Sequence, residues 1–367
     1  MAIAAAPATR TRRRNPIVVE DQRAGWVFLA PAMAVFLVFI FGAILFAIYL
    51  SFHNYALLQK GGIWPVFTHP GRTWVGLDNY RDIMHNGFFW QAFRNTTWYA
   101  IGVVPAQTIL GLVLAVLANR KIRGRTFFRT AFYFPSISSS VVISIIFLWM
   151  YSARGFVNYA LRGLGFPTPR PVWLANPKGV VGMLLDQFGI HSVPNWLEGP
   201  SVALLSIMML NVWTTTGTIM VIFLAGLQGL PGDVYEAANL DGANRFRQFT
   251  DITVPLLKPI IGFAVTIGLI GTFQVFDQIY VMSEGGPQKT TTTIAYLIYV
   301  EGFQQGRGLG YASAIAIILL FVIMCLYLVQ RRFTTERETD ERVPGGIRAW
   351  VARNLIGQDR GATGGAR

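Results

Sequence analysis

The chain has 367 residues, 53% of them hydrophobic and only 13% charged, with a formal net charge of +13. Soluble domains carry about 25% charged residues, so this composition excludes an ordinary soluble globular protein and points to a chain that lives in a bilayer. In a soluble chain such a basic excess would suggest nucleic acid. In a membrane chain Lys and Arg collect beside the spans instead, and no nucleic-acid partner is expected.

Crossing the hydrocarbon core takes about 20 apolar residues, and six stretches qualify. In chain order they are about Trp26–Ser51, Thr97–Ala118, Phe128–Tyr151, Val202–Ala225, Ile260–Met282 and Gly310–Val329. Backbone cannot stay unpaired in lipid, so each reads as a helix. The fold class is therefore all-α integral membrane protein with six transmembrane helices. The basic segment "TRTRRRNPIV" before the first run raises the question of a signal peptide. The run from Trp26 to Phe52 is too long for an h-region of about 7–15 residues, and no small-residue cleavage pattern follows it; it reads as a retained span. Pro31, Pro105 and Pro135 are expected in outer turns of their spans, where a missing backbone donor costs least. Cys325, the one cysteine, falls in the last run and reads as a small apolar filler.

With the N-terminus placed in the cytoplasm, 21 of the 31 Lys and Arg fall on the cytoplasmic side and 10 outside. The short segment Arg120–Arg129 alone carries five of them. This asymmetry puts both termini in the cytoplasm. Residues 1–25 then form a cytoplasmic tail, 26–332 the membrane domain, and 333–367 a polar, Gly-rich cytoplasmic tail expected to be mobile. The outside segments 52–94 and 152–200 are long and aromatic, which argues for ordered, partly interfacial loops. The four histidines, His53, His69, His85 and His191, lie in outside loops or at a span end without metal-helix spacing. No P-loop pattern occurs. No catalytic constellation and no metal site are expected.

The segment between the fourth and fifth spans, "LPGDVYEAANLDGANRF", is polar and cytoplasmic in this topology. Pro231-Gly232 makes a turn, and Asp233 can cap a helix with Glu236 completing an approximate capping box. Val234, Ala237 and Ala238 recur at helical spacing as a small-residue face. Gly242 can end the helix in a left-handed conformation. A second short helix, about 243–249, is expected to leave at an angle, with Pro255 closing the unit. The result is an elbow of two short helices, either a docking surface for another protein or a surface helix lying on headgroups.

This segment resembles the EAA loop of the permease subunits of bacterial ABC importers. That pattern is E-A-A, three residues, G, nine residues, then I-x-L-P. The chain has Glu236-Ala237-Ala238, Gly242, Ile252 and Pro255 at those spacings, with Val254 in place of the usual Leu. "WVGLDNYRDI", "FLAGLQGLPGDVYEAA", "FDQIYVMSEGGPQKTTTTIAYLIYVEGF" and "GLGYASAIAIILL" extend the likeness over about 26–332, and together they look like the carbohydrate-uptake class, maltose-type and glycerol-3-phosphate-type. The resemblance implies an ABC importer type I permease fold and makes segment 230–259 the coupling loop. Its ATPase-coupling residues would be Tyr235, Glu236, Ala237, Ala238, Asp241, Gly242, Phe246 and Pro255. The implied partners are a second homologous permease, two copies of an ABC ATPase subunit and an extracytoplasmic solute-binding protein. ATP and Mg would sit on the ATPase, so this chain needs no cofactor of its own and is not an enzyme. One departure stands out. After "VWLANP" come about 20 extra residues, 178–195, before the similar phrase "NWLEGP", and the fourth span starts late.

Polar groups inside spans are expensive and face a partner or a wet path. The positions that resemble the family's maltose-contacting sites are Asn211, Thr215, Thr218, Gly268, Gly271, Thr272 and Val275. The fifth span adds Gln274 and Asp277 beside Phe273 and Phe276, a mixture of hydroxyl-binding and aromatic groups that suits sugars. Asn211, Thr215 and Thr218 share one helix stripe. The bland alternative is interhelical packing, for which Thr and Gly are common in membranes, and Asp277 near a span end can simply reach water. The rival to the importer is a secondary transporter or channel acting without an ATPase, which predicts intramembrane ion ligands and inverted repeats and leaves the elbow unexplained.

Overall fold

The computed structural model describes residues 16–56, 67–68, 73–120, 123–166, 173–190, 194, 196–304 and 307–334. The tail before Pro16, the tail beyond Thr334, and His69 and His191 lie outside the described residues. Among the described residues every regular element is helical, and the two β-bridges, His53 with Trp74 and Gly179 with Ser201, are isolated.

The helices are α1 (Pro16–Val35), α2 (Gly42–Ser51), α3 (Asp78–His85), α4 (Gly87–Asn119), α5 (Arg125–Ile137), α6 (Ser140–Met150), α7 (Phe156–Gly163), α8 (Val180–Gln187), α9 (Val202–Gln228), α10 (Gly232–Leu240), α11 (Arg245–Arg247), α12 (Val254–Phe273), α13 (Asp277–Met282), α14 (Ile294–Tyr299) and α15 (Leu309–Thr334). A π-helical turn at Phe36–Phe41 joins α1 to α2, another at Gln248–Thr253 joins α11 to α12, and a third, Val300–Gln304, follows α14. Among the described residues five helices are long and apolar enough to cross a membrane: Ala24–Ser51, Gly87–Asn119, Val202–Gln228, Arg245–Phe273 and Leu309–Arg332. The pair α5 and α6 makes a sixth span if taken together, and it is bent by 97°.

Two expected spans are therefore not straight helices. The third breaks at Ser138 and Ser139, and the Ser138 hydroxyl donates back to Phe134 O at 3.0 Å. The fifth ends at Phe273, and α13 restarts at Asp277 after three non-helical residues. The second span starts earlier than the apolar run does. Asn86 caps it, its side chain accepting from Phe88 N at 3.0 Å, so "GFFWQAF" is helix rather than loop. That shift moves Pro105 into the interior of α4, and Pro31 and Pro135 also lie inside helices, contrary to the outer-turn expectation.

The chain divides into two compact units, Met1–His85 with Ile298–Ile317, and Asn86–Leu297 with Ile318–Arg367. In the first, Asn79 Nδ2 donates to Ser51 O (2.8 Å) and His53 O (3.2 Å), and Tyr80 Oη lies 2.7 Å from Ser51 Oγ. These bonds hold "WVGLDNYRDI" against the end of α2. Leu50 and Tyr55 are buried there among Phe46, Tyr49 and Leu309.

The second unit holds the elbow and the polar stripe. Its core is Ala115, Ala118, Ile219, Met220, Phe223, Leu224 and Ala264, contributed by α4, α9 and α12. Close approach depends on glycine: a Cβ on Gly111 would stand 2.6 Å from Ile219 Cγ2, and one on Gly217 would collide with Phe132 O and lie 3.0 Å from Tyr133 Cα of α5. The inserted stretch is a closed excursion containing α8. Its ends are pinned by Val180 N to Pro200 O (2.9 Å), Gly182 N to Glu198 O (3.1 Å) and Val202 N to Lys178 O (3.0 Å). The extra residues thus return to their starting point before Ser201, whose hydroxyl accepts from Leu204 N at 3.0 Å and caps α9.

The obstacle at Gly217 is backbone and cannot swing aside. Gly217→Val is expected to cost about 1–3 kcal/mol and to lower the thermal midpoint in detergent. Gly163→Ala, with nothing within 4 Å, should leave that midpoint unchanged.

Candidate functional site: the coupling elbow and the solute path

The elbow is built from local rules. Gly242 has φ +71°. Its N–H donates to Asn239 O at 3.1 Å, and Ala243 N donates to Ala238 O at 2.9 Å. This is the double bond pattern that closes a helix on a left-handed glycine. The next helix is capped at once, Asn244 Oδ1 accepting from Arg247 N at 2.8 Å. Gln248 Nε2 ties the two arms, donating to Asn239 Oδ1 (2.7 Å) and Ala243 O (2.9 Å). Tyr235 Oη lies 2.9 Å from Thr253 Oγ1, which donates to Gln248 O at 3.1 Å.

Three expectations are corrected here. No side chain caps α10, whose N-cap is Pro231, so Asp233 and Glu236 form no capping box. The second arm does not end at 249: it passes through the π-helical turn into α12 without a break. Pro255 therefore closes nothing. It sits in the first turn of α12, just after Val254 N has bonded to Phe249 O five residues back, where a missing donor is tolerated.

The expected coupling residues divide by position. Glu236, Ala237, Asp241, Gly242, Phe246 and Pro255 are exposed, Phe246 by 73%. Tyr235 is half-buried and Ala238 is buried, so these two stiffen the elbow rather than line its surface. Leu240, 90% exposed beside the left-handed turn, is an apolar tip that motif reading missed. An apolar residue directly before Asp-Gly was the available signal.

The polar stripe of α9 is brought together with a residue that composition did not single out. Thr215 Oγ1 lies 2.8 Å from Asn211 O and 2.5 Å from the side-chain amide of Gln107 on α4. Gln107 is 2% exposed, and its amide occupies the space that a Cβ on Gly268 would need. Asn211, Thr215, Gln107 and Gly268 thus form one cluster across α4, α9 and α12. Thr218 does not join it: its N–H bonds Ser136 Oγ (3.2 Å), and Ser136 Oγ donates to Thr214 O (2.5 Å), which staples α9 to α5.

The remaining candidates lie along and beyond the end of α12. Thr272 is buried, and its hydroxyl donates back to Leu269 O at 3.0 Å. Gly271 is exposed with open space around it, and Gln274, the C-cap of α12, is exposed. Val275 is buried at the break, and its carbonyl accepts from Thr293 Oγ1 at 2.9 Å. Asp277 is exposed and opens α13, its Oδ2 accepting from Ser140 Oγ at 2.5 Å. The breaks of the third and fifth spans therefore meet at this hydrogen bond.

Residues 107–337 match the family described as binding-protein-dependent transport system inner membrane component. The chain is 33% identical over 320 residues to a probable ABC transporter permease of Bacillus subtilis (86% of this chain, 98% of the relative). It is 32% identical over 317 residues to the lactose transport system permease of Rhizobium radiobacter (86% and 95%). Its fold is similar to that of a chain in the crystal structure of a bacterial alginate ABC transporter in complex with alginate pentasaccharide-bound periplasmic protein. The TM-score is 0.66 and the identity 21%, covering 87% of this chain and 98% of that one. With the family model spanning the elbow, the polar stripe and both helix breaks, this chain belongs to the binding-protein-dependent transport system inner membrane components, as a multi-pass ABC-transporter permease.

Proposed function

We propose that this permease forms, with a second homologous permease, the membrane path of an ATP-driven importer for a sugar or related polyol. Both termini lie in the cytoplasm, two copies of a separate ATPase dock below, and a solute-binding protein delivers the sugar from outside. The observation that carries this reading is the elbow. A helix pair closed by a left-handed glycine, capped, cross-tied by Gln248 and continuous with a span is built to take a push without deforming. Its exposed tips, Leu240 and Phe246, are apolar, and Arg245 and Arg247 flank the second, a surface suited to a protein groove. The similarity to a lactose transport system permease favours a sugar, as do the hydroxyl and amide groups of the Asn211–Thr215–Gln107 cluster.

The mechanism follows from that continuity. ATP-driven closure of the ATPase pair moves the elbow, α12 carries the displacement, and the spans rearrange around the polar cluster so that it faces outside and inside in turn. The ATPase supplies ATP binding and hydrolysis; this chain supplies the path and the lever.

Orientation is tested by labelling single cysteines in a Cys325→Ser background. A cysteine at Gly242 should react only from the cytoplasm and one at Lys178 only from outside; outside labelling at 242 would overturn the topology. Coupling is tested at Gly242, which has nothing within 4 Å of a Cβ, so a side chain there acts through the backbone alone. A left-handed conformation costs other residues roughly 1–2 kcal/mol. Gly242→Val should insert normally yet lose, by roughly tenfold, the stimulation of ATP hydrolysis by loaded binding protein. Wild-type stimulation in that variant would reduce the elbow to a surface helix.

A further inference from the structure

Gln107 is the one member of the polar cluster that the sequence did not mark as a path residue, and it lies 108 positions before Thr215. It is almost fully buried. Its amide has Thr215 of α9 on one side and Gly268 of α12 on the other, where only a residue without Cβ leaves room. The Thr215 hydroxyl is within hydrogen-bond distance of both this amide (2.5 Å) and Asn211 O (2.8 Å). A hydroxyl has one proton and cannot donate to both. Asn211 O can only accept. The amide presents its oxygen to Thr215, so it and Asn211 O are two acceptors for that one proton, and the Gln107 contact is the shorter. The proton therefore goes to Gln107 Oε1, and the amide nitrogen lies on the Gly268 side.

We propose that Gln107 is a positioning residue for the transported sugar. Its Oε1 accepts the Thr215 proton, so Thr215 donates within the protein and its oxygen lone pairs are held as acceptors for a sugar hydroxyl. A threonine free to rotate offers a donor or an acceptor indifferently. Locked by Gln107, Thr215 accepts only, so it favours a solute that presents a hydroxyl proton there over one that presents an ether oxygen. Thr215 is half-buried rather than enclosed, which leaves its oxygen able to meet a solute. The assignment rests on the sugar-import reading above.

The test uses the whole importer in proteoliposomes with labelled lactose, maltose and trehalose, and reads sugar moved per ATP hydrolysed. Packing defects change how much complex assembles, whereas this ratio reports what each assembled complex does. Gln107→Met keeps the side-chain length and removes the hydrogen bond; it should lower the ratio about threefold to tenfold. Thr215→Val should lower it comparably, and the double variant no further, because Gln107 acts through Thr215. Gly268→Ala, which displaces the amide without altering it, should give the same loss and serves if Gln107→Met does not assemble. An unchanged ratio in either variant, or additive losses in the double, overturns the role of Gln107 while the sugar reading stands. A wild-type importer that moves none of the three sugars overturns the sugar reading, and this assignment with it.

Discussion

Inside a bilayer no water is available to satisfy a broken helix, so each interruption must find its hydrogen bonds within the protein. This constraint governs the structure. The break in the fifth span exposes Val275 O, which Thr293 Oγ1 covers from the loop that follows. The break in the third span is flanked by Ser138, whose hydroxyl donates to Phe134 O, and by Ser140, whose hydroxyl reaches Asp277. The two breaks thus stabilise each other through one charge-assisted bond. The Thr-rich strip after the GGP turn has a physical reason here. Asn95 Nδ2 donates to Lys289 O and Thr292 O, Thr96 Oγ1 accepts from Ile294 N, and Lys289 Nζ stands 3.3 Å above the Phe88 ring. A loop that must supply a hydroxyl at one place has to be held in one place.

Much of this was legible in the sequence. The apolar runs located the spans because hydrophobic length is a direct demand of the bilayer, and the fourth span begins at Val202 as read. The first arm of the elbow and its left-handed glycine followed from turn chemistry, although the expected capping box does not form. The breaks were not legible, because a window that averages hydrophobicity does not register three residues such as Gln274, Val275 and Phe276. The early start of the second span was hidden for the opposite reason: Gln91, Arg94 and Asn95 made helical turns look like loop. The second arm of the elbow was misjudged at Pro255, since a proline after an α-helical stretch signals a stop but one after a π-helical turn does not.

The polar stripe shows a different limit. Asn211 and Thr215 were visible by spacing, but which of their neighbours they touch depends on α4, far away in the chain. A single glutamine in an apolar run carries no local signal of its partner. Thr218 looked equivalent to Thr215 by helical spacing, yet its turn of α9 is pressed against α5 through Gly217 and bonded to Ser136. Helix periodicity gave the face; the crossing of spans decided which part of it packs. The inserted stretch 178–195 is similar, since only pairing of its ends explains why about 20 extra residues leave the fourth span undisturbed.

The continuity of α11, the π-helical turn and α12 has a mechanical consequence. Arg245–Phe273 is a single rod of 29 residues, about 40 Å long at the usual rise of 1.5 Å per residue. It ends in the left-handed turn at Gly242 on one side and in the Gln274–Phe276 gap on the other. A rod held fast at its near end carries a displacement along its length, and the residues beside the far gap, Asp277 and Ser140, belong to two different spans. A tilt of the rod at one end therefore becomes a change in the angle between those spans at the other, by leverage rather than by a chain of small adjustments.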